Sequence, residues 1–127
     1  MNKFIFASLA VSTLMIGSIS ALADGQDPAV MGDTTMGKVW VNAKGMTLYV
    51  YDKDTAGQST CVDDCAKTWQ PMVAEKGAKI SGNWTLVARA DGSNMWAYKG
   101  HPLYTYGKDG KAGDVTGNEV NGFHMAQ

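Results

Sequence analysis

Gly45-Met46-Thr47-Leu48-Tyr49-Val50-Tyr51-Asp52-Lys53-Asp54 returns 55 positions later as Gly100-His101-Pro102-Leu103-Tyr104-Thr105-Tyr106-Gly107-Lys108-Asp109. Counted from Lys44 and Lys99, seven of eleven positions are identical, well beyond chance for this composition. The register then drifts by one inserted residue, with Gly57 answering Gly113. Two copies at this spacing describe an internally duplicated domain and not a solenoid. Within each copy the β-prone residues alternate. Tyr49 and Tyr51 share one face of a strand and Leu48 and Val50 the other; Tyr104 and Tyr106 repeat the arrangement.

Working outward, Val39 and Val41 lie across Asn42-Ala43-Lys44-Gly45 from Leu48–Tyr51, which reads as a β-hairpin around a glycine turn. Met95–Tyr98 and Leu103–Tyr106 form the same object around Lys99-Gly100. Trp84–Arg89, followed by Asp91-Gly92, predicts a further strand, and Gly122–Ala126 a last one. The one helical signal is short, from Cys61 to Trp69, with Thr60 and Asp63 spaced like a capping box and Pro71 closing it. The expected fold is all-β and mostly antiparallel, two hairpin repeats (about 38–71 and 84–126) with one short helical turn near 60–69.

The N-terminus has a different character. Met1-Asn2-Lys3 is a short basic start, Phe4–Ile19 an apolar run, and Ala21-Leu22-Ala23 a small-residue cleavage site. Residues 1–23 are therefore expected to be a cleaved signal peptide, 24–37 a flexible lead-in, and 38–127 a single β domain. The run is too often broken by Ser, Gly and Ala to be a membrane span, and nothing later approaches the roughly 18 apolar residues one needs. The expected location is the periplasm or beyond it.

Composition narrows the function classes. Eleven Lys and Arg stand against twelve Asp and Glu, and Arg89 is the single arginine, so no basic stripe exists to hold nucleic acid. The length excludes a Rossmann dehydrogenase, a kinase or a barrel enzyme. No nucleophile elbow is present, and adjacent acids such as Asp63 and Asp64 read as solvated charge. No enzyme is expected, with a small hydrolase the weakest alternative.

Cys61 and Cys65 are the only cysteines. In an exported chain they predict a structural disulfide, worth roughly 2 kcal/mol for so short a loop. A helix places i and i+4 at a marginal separation for this bond, so a distorted turn is expected there. Thr116 and Val120 stand 55 residues on, so the staple is confined to the first repeat. A metal or redox role for the pair is the alternative. His101, His124 and Met125, in a chain also carrying Met31, Met36, Met46, Met72 and Met95, form the candidate set for a copper site.

Tyr49, Tyr51, Asp54, Tyr104, Tyr106 and Asp109 form a duplicated Y-x4-D pattern. One reading packs the tyrosines between the repeats and anchors their hydroxyls on loop groups such as Asp54 and Asp109; the other exposes them as a ladder gripping a ligand. Packing is the favoured reading, since β-repeats use aromatics as core. These residues, followed by C-x3-C and W-x-P after the first copy, resemble a bacterial secreted-repeat family. Its members are predicted lipoproteins with a Y-x-[FWY]-x-x-D motif and no assigned biochemical activity. The resemblance covers about residues 38–126. It departs from the family where no Cys sits at the cleavage site, so no lipid anchor is expected. Gln70 stands where a second Pro is common, and His124 where the second copy often has Trp. The resulting expectation is an exported, non-catalytic β domain, a binding or interaction module for a protein or small-molecule partner. A copper- or redox-handling protein is the alternative.

Overall fold

The computed structural model describes residues 27–127. The expected signal peptide lies outside them. The chain runs β1 (Val30–Thr34), β2 (Gly37–Val41), β3 (Tyr49–Tyr51), α1 (Asp64–Thr68), β4 (Trp69–Pro71), β5 (Trp84–Ala88), β6 (Asn94–Tyr98), β7 (His101–Pro102), β8 (Tyr104–Tyr106) and β9 (Phe123–Met125). All strand pairs are antiparallel, in sheets ordered β1-β2, β4-β8-β3-β9 and β5-β6-β7.

The central sheet joins the repeats by exchange. Tyr49 of β3 lies opposite Tyr104 of β8, the one pairing between the two motif strands. The closing strand of the first repeat, β4, pairs with β8 of the second; the closing strand of the second, β9, pairs with β3 of the first. Neither repeat completes the central sheet alone. The exchange is fastened by two rings of backbone hydrogen bonds. Leu48 N–H donates to Trp40 O, Trp40 N–H to Ala126 O and Ala126 N–H to Leu48 O, at 2.8–2.9 Å. Leu103, Trp96 and Met72 repeat this ring at 2.9–3.0 Å.

These rings change the expected hairpins. The amides of Leu48 and Leu103 turn back to Trp40 and Trp96, and the next residues leave for the central sheet. Pairing after β2 is therefore limited to Val41 and Thr47. In the second copy the β6–β7 hairpin pairs only Ala97 with Pro102 and Tyr98 with His101, across Lys99-Gly100, whose φ angles of 51° and 86° suit a tight two-residue turn.

Two further expectations are corrected. The lead-in of residues 24–37 holds β1, which pairs with β2 along its whole length. It is the counterpart of β5: Met31 faces Trp40 as Leu86 faces Trp96. The capping box does not form. Asp63 precedes α1 with φ 56° and makes no side-chain cap, while Thr60 gives both its amide and its hydroxyl to Asp54.

Strand alternation sorts the interior into two cores. One holds Tyr49, Tyr104, Tyr106, Trp69, Phe123 and Cys61, together with Val87, Met95 and Ala97. The other gathers Leu48, Leu103, Trp84, Trp96, Ala126 and Ala29, with Trp40, Val50 and Tyr98 at its margin.

Candidate functional site

The duplicated tyrosines and aspartates meet crosswise. Tyr49 of the first repeat donates its hydroxyl to Asp109 of the second at 2.8 Å, and Tyr104 of the second donates to Asp54 of the first at 2.6 Å. Both tyrosines are fully buried. The other oxygen of each carboxylate receives a threonine twice. Thr116 donates amide and hydroxyl to Asp109 at 2.9 and 2.6 Å, and Thr60 does the same for Asp54 at 2.7 and 2.9 Å. Thr60 and Thr116 were missed in the sequence because the single inserted residue moves them to a 56-residue spacing. That places Cys61, not Val62, in register with Gly117.

Burial, then the carboxylate hydrogen bond, pushes both phenols well above their ordinary range. Ionising either one would desolvate a phenolate and set it against a carboxylate. The surroundings of the two pairs differ. The Tyr49 hydroxyl accepts the Gly117 amide at 3.2 Å. The Tyr104 hydroxyl meets the Ser59 hydroxyl at 2.5 Å, and Ser59 accepts Arg89 at 2.9 Å. Arg89 also donates to Cys61 O at 3.0 Å. The lone arginine thus has a structural post that its charge alone did not reveal.

The remaining motif aromatics form a column. Tyr106 stacks on Trp69 at 4.1 Å, Trp69 on Phe123 at 3.8 Å and Phe123 on Tyr51 at 4.1 Å. Gly117 is pressed against it: a Cβ there would sit 2.6 Å from Trp69 Cη2 and 2.8 Å from Tyr106 Cδ2. In the first repeat the matching loop is closed by the Cys61–Cys65 disulfide, with Cα atoms 5.2 Å apart.

The strand register also relocates His124. Trp69 faces Tyr106 and Phe123 faces Tyr51, so Phe123 holds the place of Trp69 and His124 that of Gln70. His124 is not in a hydrophobe's position. Its side chain is 40% exposed and its Nε2 lies 2.8 Å from Asp52 Oδ2. Met125, the next residue on β9, packs on the tyrosine core, as strand alternation requires. His101 is an exposed residue of β7. Among the described residues, no three His, Cys, Asp or Glu side chains cluster as a metal-holding group.

One surface feature lies on the β1–β2 hairpin. An open pocket of about 570 Å³ is lined by Asp27, Pro28, Ala29, Val30, Met31, Trp40, Asn42 and Ala43. Val30 and Met31 at its margin are 59% and 44% exposed. Asn42 is held in place by its own turn, its Oδ1 accepting the amides of Lys44 and Met46. No residue pattern marks this pocket, because β1 carries no hydrophobic period.

Among the described residues, no helix is long and apolar enough to cross a membrane. No curated protein and no solved structure matches the chain. Residues 30–73 and 85–126 each match the family described as a secreted repeat of unknown function, and the two stretches coincide with the two halves of the strand exchange. The protein belongs to that secreted-repeat family.

Proposed function

We propose that the protein is an exported, non-catalytic binding module whose motif residues hold its two halves together and whose ligand-facing surface is the β1–β2 hairpin. The observation that carries this reading is the internal use of the motif. Both oxygens of Asp54 and of Asp109 already accept hydrogen bonds from the chain itself. A general base needs a carboxylate within reach of a substrate proton, and these two are occupied by tyrosine and threonine. Val30 and Met31, both exposed, lie instead on β1 and line the pocket, and exposed apolar residues in a pocket are where such a domain meets a ligand.

The test is native mass spectrometry of protein taken from the exported fraction without chelators, wild type beside Tyr104→Phe. Both are expected to retain the same bound species. Loss of that species from a folded Tyr104→Phe variant would make the motif the site and end this reading. A retained copper ion would favour metal handling instead.

A further inference from the structure

We propose that β1 is an open docking edge, on which an extended peptide segment of a partner protein adds a strand antiparallel to β1 and seats an apolar side chain in the adjoining pocket. This inference rests on the binding-module reading and names its ligand class.

Ladder parity fixes which backbone groups face outward. Trp40 N–H donates to Ala126 O and Trp40 O accepts Leu48 N–H, so Trp40 turns both groups away from β1. Met31 lies opposite Trp40. In an antiparallel ladder a residue facing such a partner turns its own N–H and C=O to the far side. Asp33, two residues on, does the same. Among the described residues, no protein group bonds to the outward N–H and C=O of Met31 and Asp33.

Other sheet edges are blunted, as an exposed strand commonly is. On β9, Phe123 N–H donates to Val120 O, Phe123 O accepts Glu119 N–H, and Met125 N–H donates to Asn118 Oδ1. On β4, Trp69 N–H bonds Cys65 O, and Pro71 has no N–H to offer. Pro102 does the same for the two-residue β7. β5, the counterpart of β1, is overlaid at its first residue, where Trp84 and Ser81 exchange hydrogen bonds at 3.0 and 3.2 Å. At the start of β1 lies the pocket instead, bounded by Asp27, Ala29, Val30 and Met31.

These features define the occupant. An extended backbone meets the N–H and C=O groups of Met31 and Asp33, as strand addition does. Its side chains alternate between faces, so those on the Met31 side run past the pocket. Asp27 is exposed at the pocket rim, at the end where an antiparallel peptide finishes. Asp33, at the other end, is already paired with Lys38 at 2.6 Å. Charge complementarity therefore favours a segment with Lys or Arg toward its C-terminus. β1 of a second copy, Val30–Thr34, would bring Asp33 and no basic residue to that place, so the charge favours a foreign segment.

The experiment titrates the exported protein with a short capped peptide of alternating threonine and valine ending in lysine, followed by amide NMR and hydrogen exchange. Saturable shifts are expected at residues 27–34. The amides of Met31 and Asp33 exchange quickly in the free protein and slowly in the bound one. The same peptide N-methylated on the amides that would face β1 binds about tenfold more weakly, from the loss of two hydrogen bonds. Exchanging its lysine for glutamate weakens it as well. Met31→Pro removes an outward donor at a position where an edge strand accepts proline; it weakens binding while keeping a cooperative melt. The proposal is overturned if wild type shows no saturable protection of Met31 and Asp33, if the N-methylated peptide binds undiminished, or if protection arises at Leu86 on β5 in their place. Protection that rises with protein concentration in the absence of peptide would put a second copy on the edge and overturn it too. If the probe fails while a folded Tyr104→Phe variant retains the same bound species as wild type, this ligand class falls and the binding-module reading stands. Loss of that species from the variant ends the reading and this inference with it.

Discussion

The Tyr49–Asp109 and Tyr104–Asp54 pairs are two copies of one bond, set in unlike surroundings. Asp109 is buried, 7% exposed, and the second lone pair of its tyrosine is satisfied by a backbone amide, Gly117. Asp54 is half-buried, and its tyrosine is served by a side-chain relay through Ser59 to Arg89. The reason is one position. Where the second repeat has Gly117 against the Trp69–Tyr106 stack, with no room for a Cβ, the first has Cys61, tied to Cys65 and giving its carbonyl to Arg89. The glycine loop satisfies its phenol directly; the cysteine loop needs a staple and a cation. The hydrogen-bond geometry around the aspartates is kept while its support is rebuilt.

The sharpest way to break this comparison is to remove a ring. Tyr49→Ala and Tyr104→Ala are each expected to cost roughly 3–5 kcal/mol, the range for emptying an aromatic site in a core. Thermal melts of both variants would settle the point, and an unchanged melt in either would contradict burial of that ring. Next in size is the staple. Cys61→Ala with Cys65→Ala is expected to cost about 2 kcal/mol for a five-residue loop, seen as a lower melting temperature with far-UV circular dichroism little altered. A thiol titre in the untreated protein would argue against the bond.

Deleting only the hydroxyls sharpens the contrast. Tyr49→Phe strands the buried Asp109 oxygen and the Gly117 amide, at roughly 1–3 kcal/mol. Tyr104→Phe is expected to cost less, because Asp54 is half-buried and Ser59 and Arg89 remain beside it. Alkaline melting reads the same pair. Both phenols are raised, first by burial and then by the carboxylate each one meets. Their neutral form is therefore favoured in the folded chain. That stabilisation is whole below about pH 10 and is lost as pH rises past it, by about 1.4 kcal/mol per unit for each tyrosine. Either Phe variant should show a shallower alkaline loss than wild type, and an identical slope would contradict the burial argument. The smallest effect is expected at His124→Gln, which copies Gln70. The His124–Asp52 contact is surface-exposed and worth less than about 1 kcal/mol, so a large drop in the melt would show that His124 and Gln70 are not equivalents.

The motif was legible because identical residues recur: Leu48, Tyr49, Tyr51 and Asp54 against Leu103, Tyr104, Tyr106 and Asp109. β1 was not. Val30-Met31-Gly32-Asp33-Thr34 shares no identity with its counterpart and carries a glycine in mid-strand. Gly32 is accepted there because a Cβ would lie 2.7 Å from Val41 Cγ2, so the neighbouring valine fills the space. His124 was misplaced for a related reason. Spacing from the motif could not show that Phe123 answers Trp69, since the segments between are a stapled helix in one copy and successive tight turns in the other.

The amino-acid sequence by itself determined the duplication, the strand alternation that puts tyrosines and leucines on opposite faces, and the cysteine pair within reach of a disulfide. These are local properties, carried by residue type and short spacing. Only the tertiary structure decided that β4 and β9 change places and that each tyrosine bonds to the other repeat's aspartate. Antiparallel backbones carry the same donors and acceptors in either repeat, so partner choice rests on which edges and side-chain volumes meet across dozens of residues. Two nearly identical motifs make that choice ambiguous along the chain and unambiguous once it is packed.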